Sequence, residues 1–390
     1  MSGFSKFAKK MMPRIGAVIM AAIAGFGVFF INYFVLYTPD VNENVPNFEI
    51  HQDPNAVGGE DGKGDTTNTT VEASDKIFNF LIMGHDRAAS LTDVIMLVNY
   101  NTEIQRITVL QFPRDTYIEV DDYNYHKVNG LYNYCVKQAK KDGSKNPERD
   151  GCKKMEEYLE KNLAMTIHYS AVMDLDGFGN IVDAIGGVDM YVPMDMRYSD
   201  PEQGLYINLK EGYQHLNGKT AEQFVRYRSG YATGDIGRGD AQKIFMSAFL
   251  DKILSSITDV NTVTTLAQNL VTYVESDITP ADVVFFGKQF IGIGNKAGPV
   301  QLSNVKMMTM PGKATLYHGL SYYVMNKDYM SYIINEYYNI YNTSVLWSFD
   351  VNEVFVTSDN SQLRDLYMES KDDVNLTIYN AGSLEENGLN

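Results

Sequence analysis

Apolar positions fall first into one unbroken block, Ile15 to Tyr37, 23 residues without a charge. Coiled as a helix, such a block is roughly 34 Å long, enough to cross a hydrocarbon core of about 30 Å. Apolar runs return at Ile77–Met83, Val94–Tyr100 and Arg106–Phe112, the last two joined by the polar turn Asn101-Thr102-Glu103. Short apolar runs joined by a tight turn predict strands of a sheet covered on both faces. Helical spacing follows over 126–140 and 151–163, then a strand over 166–173 and a helix over 175–185. Gly186-Gly187 stops that helix before a strand over 188–192. Further helices are predicted from Gly218, over 236–256 and over 260–274. A capping box, Thr279-Pro280-Ala281-Asp282, starts another. A strand over 307–310 and a helix over 329–341 close the pattern, and the tail carries strand-like pieces at 353–357 and 374–378. Strands and helices mixed in this order predict an α/β fold, a central mixed sheet flanked by helices and preceded by one transmembrane helix.

The boundaries that follow are a basic tail (1–14), a transmembrane helix (15–37), a linker (38–75), a folded domain (76–341) and a C-terminal extension (342–390). Lys6, Lys9, Lys10 and Arg14 precede the apolar block, which keeps the N-terminus cytoplasmic and puts the rest outside. No small-x-small cleavage site follows the block, which favours an uncleaved anchor over a signal peptide. The linker holds Gly58-Gly59-Glu60-Asp61-Gly62-Lys63-Gly64-Asp65, which lacks the spacing, leading strand and following helix of a phosphate loop.

Charge narrows the partners. The chain carries 33 Lys and Arg against 49 Asp and Glu. Four of the basic residues and none of the acids precede Ile15, so the part beyond the block stands at −20. A protein that binds nucleic acid through phosphates shows a basic face, so no nucleic-acid partner is expected. An anionic substrate would need local arginines or a metal. Cys135 and Cys152, the two cysteines, fall in the exported part. An oxidising exterior permits a disulfide between them, worth roughly 3 kcal/mol; the alternative is two separate buried thiols.

Neither a His-Glu-x-x-His pair nor a Gly-x-Ser-x-Gly elbow occurs, which argues against zinc and serine-hydrolase chemistry. What remains is a set of carboxylates and arginines at element ends. Asp86-Arg87 follows the first strand and Asp93 precedes the second, the loops where an α/β fold presents ligand groups. Two such carboxylates suit a hard cation that takes its other ligands from phosphate and water. Arg114 follows Pro113 at the end of the third strand. Arg226-Tyr227-Arg228 can converge on one ligand only if its helix ends there, and Arg238 sits at the start of the long helix. Taken singly, each is as readily a turn former or a surface ion pair.

In their order these stretches resemble the LytR–CpsA–Psr family of cell-envelope proteins. The match runs through Phe80-Leu81-Ile82-Met83-Gly84-His85-Asp86-Arg87, Thr92-Asp93-Val94-Ile95-Met96-Leu97 and Phe112-Pro113-Arg114-Asp115-Thr116-Tyr117. It continues through Asp183-Ala184-Ile185-Gly186-Gly187-Val188-Asp189, Leu216-Asn217-Gly218-Lys219-Thr220-Ala221, Arg226-Tyr227-Arg228, Asp235-Ile236-Gly237-Arg238 with Gln242, and Met310-Pro311-Gly312. The resemblance implies a membrane-bound enzyme that moves a phosphate-linked glycopolymer, of teichoic acid or capsule type, from a polyprenyl pyrophosphate carrier to peptidoglycan with Mg²⁺. It implies Asp86 and Asp93 as metal ligands, and Asp93, Arg114, Arg226 and Arg228 as catalytic. Arg87, Arg114, Lys127, Arg226, Arg228, Arg238 and Gln242 would bind the pyrophosphate. Leu91 and Ala241 stand where the family often carries arginine, and Gln111 where serine is usual. Two alternatives use the same residues: a pyrophosphatase with water as acceptor, and a non-catalytic polyprenyl-phosphate or wall-polymer binding protein.

Overall fold

The computed structural model describes residues 37–39, 73–201, 204–231, 235–256, 272–342, 344 and 377–381. The apolar block up to its last residue, most of the linker, the expected helix over 260–274 up to residue 271 and the tail strand at 353–357 lie outside the described residues. Among the described residues no helix is long and apolar enough to cross a membrane. Tyr37, where the apolar block ends, donates a hydrogen bond to Asp282 at 2.6 Å.

The three apolar runs do form consecutive strands: β1 (Ile77–Asp86), β2 (Leu91–Asn101) and β3 (Arg106–Gln111). They pair antiparallel, because the connections are short: Asn101 turns the chain by accepting the amides of Glu103 and Ile104 at 3.1 and 3.2 Å. β4 (Tyr169–Asp174) returns parallel to β1 after two helices, α1 (Val128–Lys141) and α2 (Pro147–Leu163). β10 (Val305–Thr309) lies parallel to β3, and β13 (Ile378–Asn380), from the tail, pairs antiparallel with β10. With the two-residue β9 (Glu275–Ser276) at the far edge the order is β13-β10-β3-β2-β1-β4-β9, a mixed seven-stranded sheet.

Alternation along the strands sends side chains to two different sides. Leu81, Ile95, Leu97 and Leu110 are fully buried against α1, α2, the hairpin β11 (Gly312–Tyr317)–β12 (Leu320–Met325) and α7 (Lys327–Ile333). On the other side Phe80, Ile82, Met96, Val98 and Val109 meet α5 (Asp235–Ser256) and α6 (Pro280–Phe290). A third core lies beside the sheet. There α3 (Leu175–Ala184) and α4 (Gly218–Arg226) pack with α5 and two antiparallel strand pairs, β5 (Val188–Val192) with β8 (Gly212–Leu216) and β6 (Met196–Asp200) with β7 (Leu205–Leu209).

Apart from β5, neither those strand pairs nor β11–β12 is among the sequence-level expectations. Their strands are about five residues long, with outer faces carrying Tyr191, Tyr206 and Tyr213, so the apolar signal is halved. The helix expected over 329–341 is shorter: α7 runs into a π-helical turn over Ile334–Tyr338. The expected disulfide is not made. Cys135 and Cys152 are buried free thiols on α1 and α2. Both face the core between these helices, which approach so closely at Gly151 that a Cβ there would lie 2.6 Å from Val136 Cγ2. Cys152 contacts the Tyr132 hydroxyl, and burial pushes the Cys135 thiol up to about 12.

Candidate functional site

The β1–β2 hairpin is irregular where the chemistry sits. Gly84 pairs with Val94 and His85 with Thr92, so Asp93 is the extra residue of a β-bulge. A bulge re-aims side chains that strict alternation would send to the opposite face. Thr92 turns into the core and donates to the Asn129 carbonyl at 2.9 Å, while Asp93 and Val94 both border the other side. At the end of β1, Asp86 accepts the amides of Ala88 and Ala89 at 2.9 and 3.1 Å, which fixes its carboxylate at the start of the turn.

The arginines arrive from three other elements. Arg114 follows β3 and pairs with Asp93 at 2.7 Å. α4 ends at Arg226, and its C-cap Tyr227 is extended (φ −64°, ψ 134°) and buried. Extension at Tyr227 replaces the 200° separation of a helix by a strand-like repeat, so Arg226 and Arg228 face the same space. Glu222 holds Arg226 at 2.8 Å from one turn earlier. Arg238 lies in the first turn of α5, 3.9 Å from Asp93, with only 8% of its side chain exposed. One turn on, Gln242 accepts from Gln111 at 2.9 Å and donates to the Val225 carbonyl at 3.4 Å.

These side chains meet around one cavity of about 600 Å³. Asp86, Asp93, Arg114, Arg226, Arg228, Arg238 and Gln242 all border it. Much of its remaining wall is apolar, with Ile82, Met96 and Val109 from the sheet, Phe178 from α3, and Met246 and Phe249 from α5, beside the polar His85, Gln111, Asp174, Asp200 and Lys243. A cavity lined by arginines and by apolar side chains suits an amphiphile with an anionic head. Asp86 and Asp93 are hard oxygen donors at the charged end. Among the described residues no three His, Cys, Asp or Glu side chains gather as a closed metal site. Two carboxylates beside arginines fit Mg²⁺, which keeps waters and takes oxygens from a bound phosphate.

Two of the expected binding residues lie elsewhere. Arg87 pairs with Asp174 at 2.8 Å and borders a neighbouring hollow. Lys127 is bonded to Asp115 at 3.0 Å and sits over the Tyr322 and Tyr125 rings at 5.2 and 5.9 Å, bracing the loop after β3 from behind. Sequence reasoning also missed a cation. Lys243 borders the cavity, held by Asp240 at 2.8 Å and Thr309 at 3.1 Å, beneath the Tyr379 ring at 4.5 Å. The available signal was its place next to Gln242, five positions beyond Arg238. Of the two positions without the family's arginine, Leu91 borders the cavity, whereas Ala241 is 1% exposed and packs in the third core.

Comparison with known proteins adds an independent line. The LytR_cpsA_psr family model matches residues 47–338. The chain is 26% identical over 243 residues to "Polyisoprenyl-teichoic acid--peptidoglycan teichoic acid transferase TagV" of Bacillus subtilis (strain 168), a match over 60% of this chain and 58% of that one. It thus spans little more than half the length of that relative. It is 29% identical over 251 residues to the regulatory protein MsrR of Staphylococcus aureus (strain Mu50 / ATCC 700699), covering 63% of this chain and 68% of MsrR. The crystal structure of protein gbs0355 from Streptococcus agalactiae superposes with a TM-score of 0.51 at 18% identity, over 67% of this chain and 86% of that one, and shares the fold.

Proposed function

Because the chain belongs to the LytR_cpsA_psr family, we propose that it transfers a phosphate-linked glycopolymer from a polyprenyl diphosphate carrier to a sugar hydroxyl of peptidoglycan. The observation that carries this reading is the cavity of about 600 Å³ in which four arginines, Asp86 and Asp93 come together with apolar side chains of the sheet, α3 and α5. The relative named as a teichoic acid transferase supports it.

In this reading the lipid chain lies along Ile82, Met96, Val109, Met246 and Phe249, and the diphosphate rests at the mouth. Arg114, Arg226, Arg228 and Arg238 neutralise its non-bridging oxygens, and the burial of Arg114, Arg226 and Arg238, partial or full, makes those guanidinium groups worth more than they are in water. Gln242 and Lys243 complete the cradle. Mg²⁺, when bound by Asp86 and Asp93, would add charge neutralisation on the same oxygens. The acceptor oxygen bonds to the phosphorus on the polymer side while the bond from that phosphorus to the bridging oxygen breaks. Polyprenyl phosphate departs, and the hydroxyl proton ends on it or in solvent. No covalent enzyme intermediate is required, because positioning and charge neutralisation suffice for phosphoryl transfer. The apolar block Ile15–Tyr37 would anchor the chain in the membrane that holds the carrier, with the catalytic domain outside.

The test is transfer from a short-chain polyprenyl diphosphate-linked saccharide to peptidoglycan fragments. Asp93→Ala and Arg226→Ala should each lower turnover by about 100-fold or more without lowering the melting temperature. Full activity in both variants removes the assigned roles. Chelation should abolish transfer and Mg²⁺ restore it; transfer that persists in chelator rules out the ion.

A further inference from the structure

A second hollow of about 270 Å³ opens beside the charged mouth. The two share a wall: His85, Met173 and Asp174 border both. His85 and Asp174 are register partners at the ends of the parallel strands β1 and β4, so the wall is the end of the sheet itself.

The two spaces differ in charge. The large cavity sets five cations, Arg114, Arg226, Arg228, Arg238 and Lys243, against the carboxylates Asp86, Asp93, Asp174 and Asp200. The small hollow is bordered by Glu148, Asp174, Asp176 and Glu275, with Arg87 as its cation, already paired to Asp174 at 2.8 Å. An anionic head group is repelled from such a place. A neutral polyol is not: carboxylates accept hydrogen bonds from hydroxyls, the Asn180 amide both donates and accepts, and the exposed Tyr273 brings an aromatic ring to the hollow. At the shared wall, Nε2 of His85 is buried without a hydrogen-bond partner, and its ring rests edge-on against Tyr132 with centroids 5.2 Å apart. A buried polar atom left without a partner marks a place where a ligand group can supply the missing bond.

We propose that this hollow is the acceptor subsite, taking a neutral, hydroxyl-rich glycan whose reacting hydroxyl crosses the wall at His85. His85 acts there as a positioning residue that accepts the hydroxyl's hydrogen bond, and Arg87 belongs to this subsite rather than to the diphosphate cradle. The assignment rests on the transferase reading for the identity of the reaction, but not for the binding of sugar.

Asp176 and Asn180 are exposed on α3, so replacing them leaves the core intact. The full-length chain is titrated calorimetrically with a β-1,4-linked N-acetylglucosamine tetrasaccharide. An Asp176→Ala/Asn180→Ala double variant and Asn180→Trp, which fills the hollow, should each weaken binding about tenfold or more, the loss of one or two hydrogen bonds. The affinity for a short-chain polyprenyl diphosphate should stay within about twofold, since the diphosphate uses the other space. Tetrasaccharide that binds both variants as it binds the parent, or fails to bind the parent, overturns the subsite. Failure of the parent to bind the diphosphate, with sugar binding still dependent on Asp176 and Asn180, removes the transferase reading and leaves the sugar subsite in place.

Discussion

Leu81 and Ile82 are neighbours of nearly equal size on β1, yet they face two different interiors. Leu81 is fully buried in a closed core of methionines, tyrosines and aliphatic side chains against α1 and α2. Ile82 faces α5 and borders the cavity of about 600 Å³. One face of the sheet is filled by protein, and the other leaves room that a ligand must fill. Open apolar space forgoes the dispersion contacts of a packed core, so it persists only where the surroundings hold the walls apart. Here α5 is gripped by the third core through Ala241, Phe245 and Ala248, which keeps its first half from settling on the sheet.

The largest effect should come from truncation on the filled face. Leu81→Ala should cost about 2–5 kcal/mol of unfolding free energy in denaturant titration, because the void has no ligand to occupy it. A cost below about 1 kcal/mol would mean that this face is loosely packed too. Next in size is a pH effect that belongs to the same side. Burial raises Glu156 to about 7 and Glu160 to about 8, above the ordinary 4.5. Each is therefore protonated in the folded state at pH values where the unfolded chain has already ionised. Their stability is complete below about pH 4.5 and drains as pH rises through the folded values near 7 and 8. The melting temperature should thus decline between about pH 5 and 8, and Glu160→Gln should flatten that decline while still accepting the Ile167 amide. An unchanged slope in the variant would break the link. The smallest change in stability should follow Ile82→Ala, about 1 kcal/mol, because its side chain already borders open space. The same variant should weaken binding of a short-chain polyprenyl diphosphate several-fold, read by the ligand-induced rise in melting temperature. Equal destabilisation by Leu81→Ala and Ile82→Ala would erase the distinction between the two faces.

The polar side chains repeat the contrast. Asn79, wholly buried on the filled side, donates to the Thr166 and Tyr338 carbonyls at 2.8 Å and accepts from Asn99 at 2.8 Å. Tyr338 in turn donates to the Leu97 and Thr108 carbonyls. These bonds close on one another and tie the π-helical turn to the sheet. Around the cavity, by contrast, charges meet in partial pairs, as Arg114 and Arg238 do on Asp93, an arrangement that can rearrange around a diphosphate.

Read alone, the sequence determined the elements whose signal is local. Apolar runs of strand length marked β1, β2 and β3; Thr279 with Asp282 marked the start of α6; Ser229-Gly230 allowed α4 to end so that Arg226 and Arg228 could converge. Asp86, Asp93, Arg114, Arg226, Arg228, Arg238 and Gln242 could all be named, because each belongs to a recognisable stretch, all but Gln242 at or near an element end. Which of the named residues share a space was decided only in three dimensions. Arg87 went to a neighbouring hollow, Lys127 to an aromatic brace, and Lys243 came in from the middle of a helix. Cys135 and Cys152 stayed apart although they are near in sequence. The reason is physical. Backbone preference and apolar period act over a few residues, whereas the direction of a long charged side chain depends on register, on one bulge at Gly84/His85 and on the packing of helices far away in the chain.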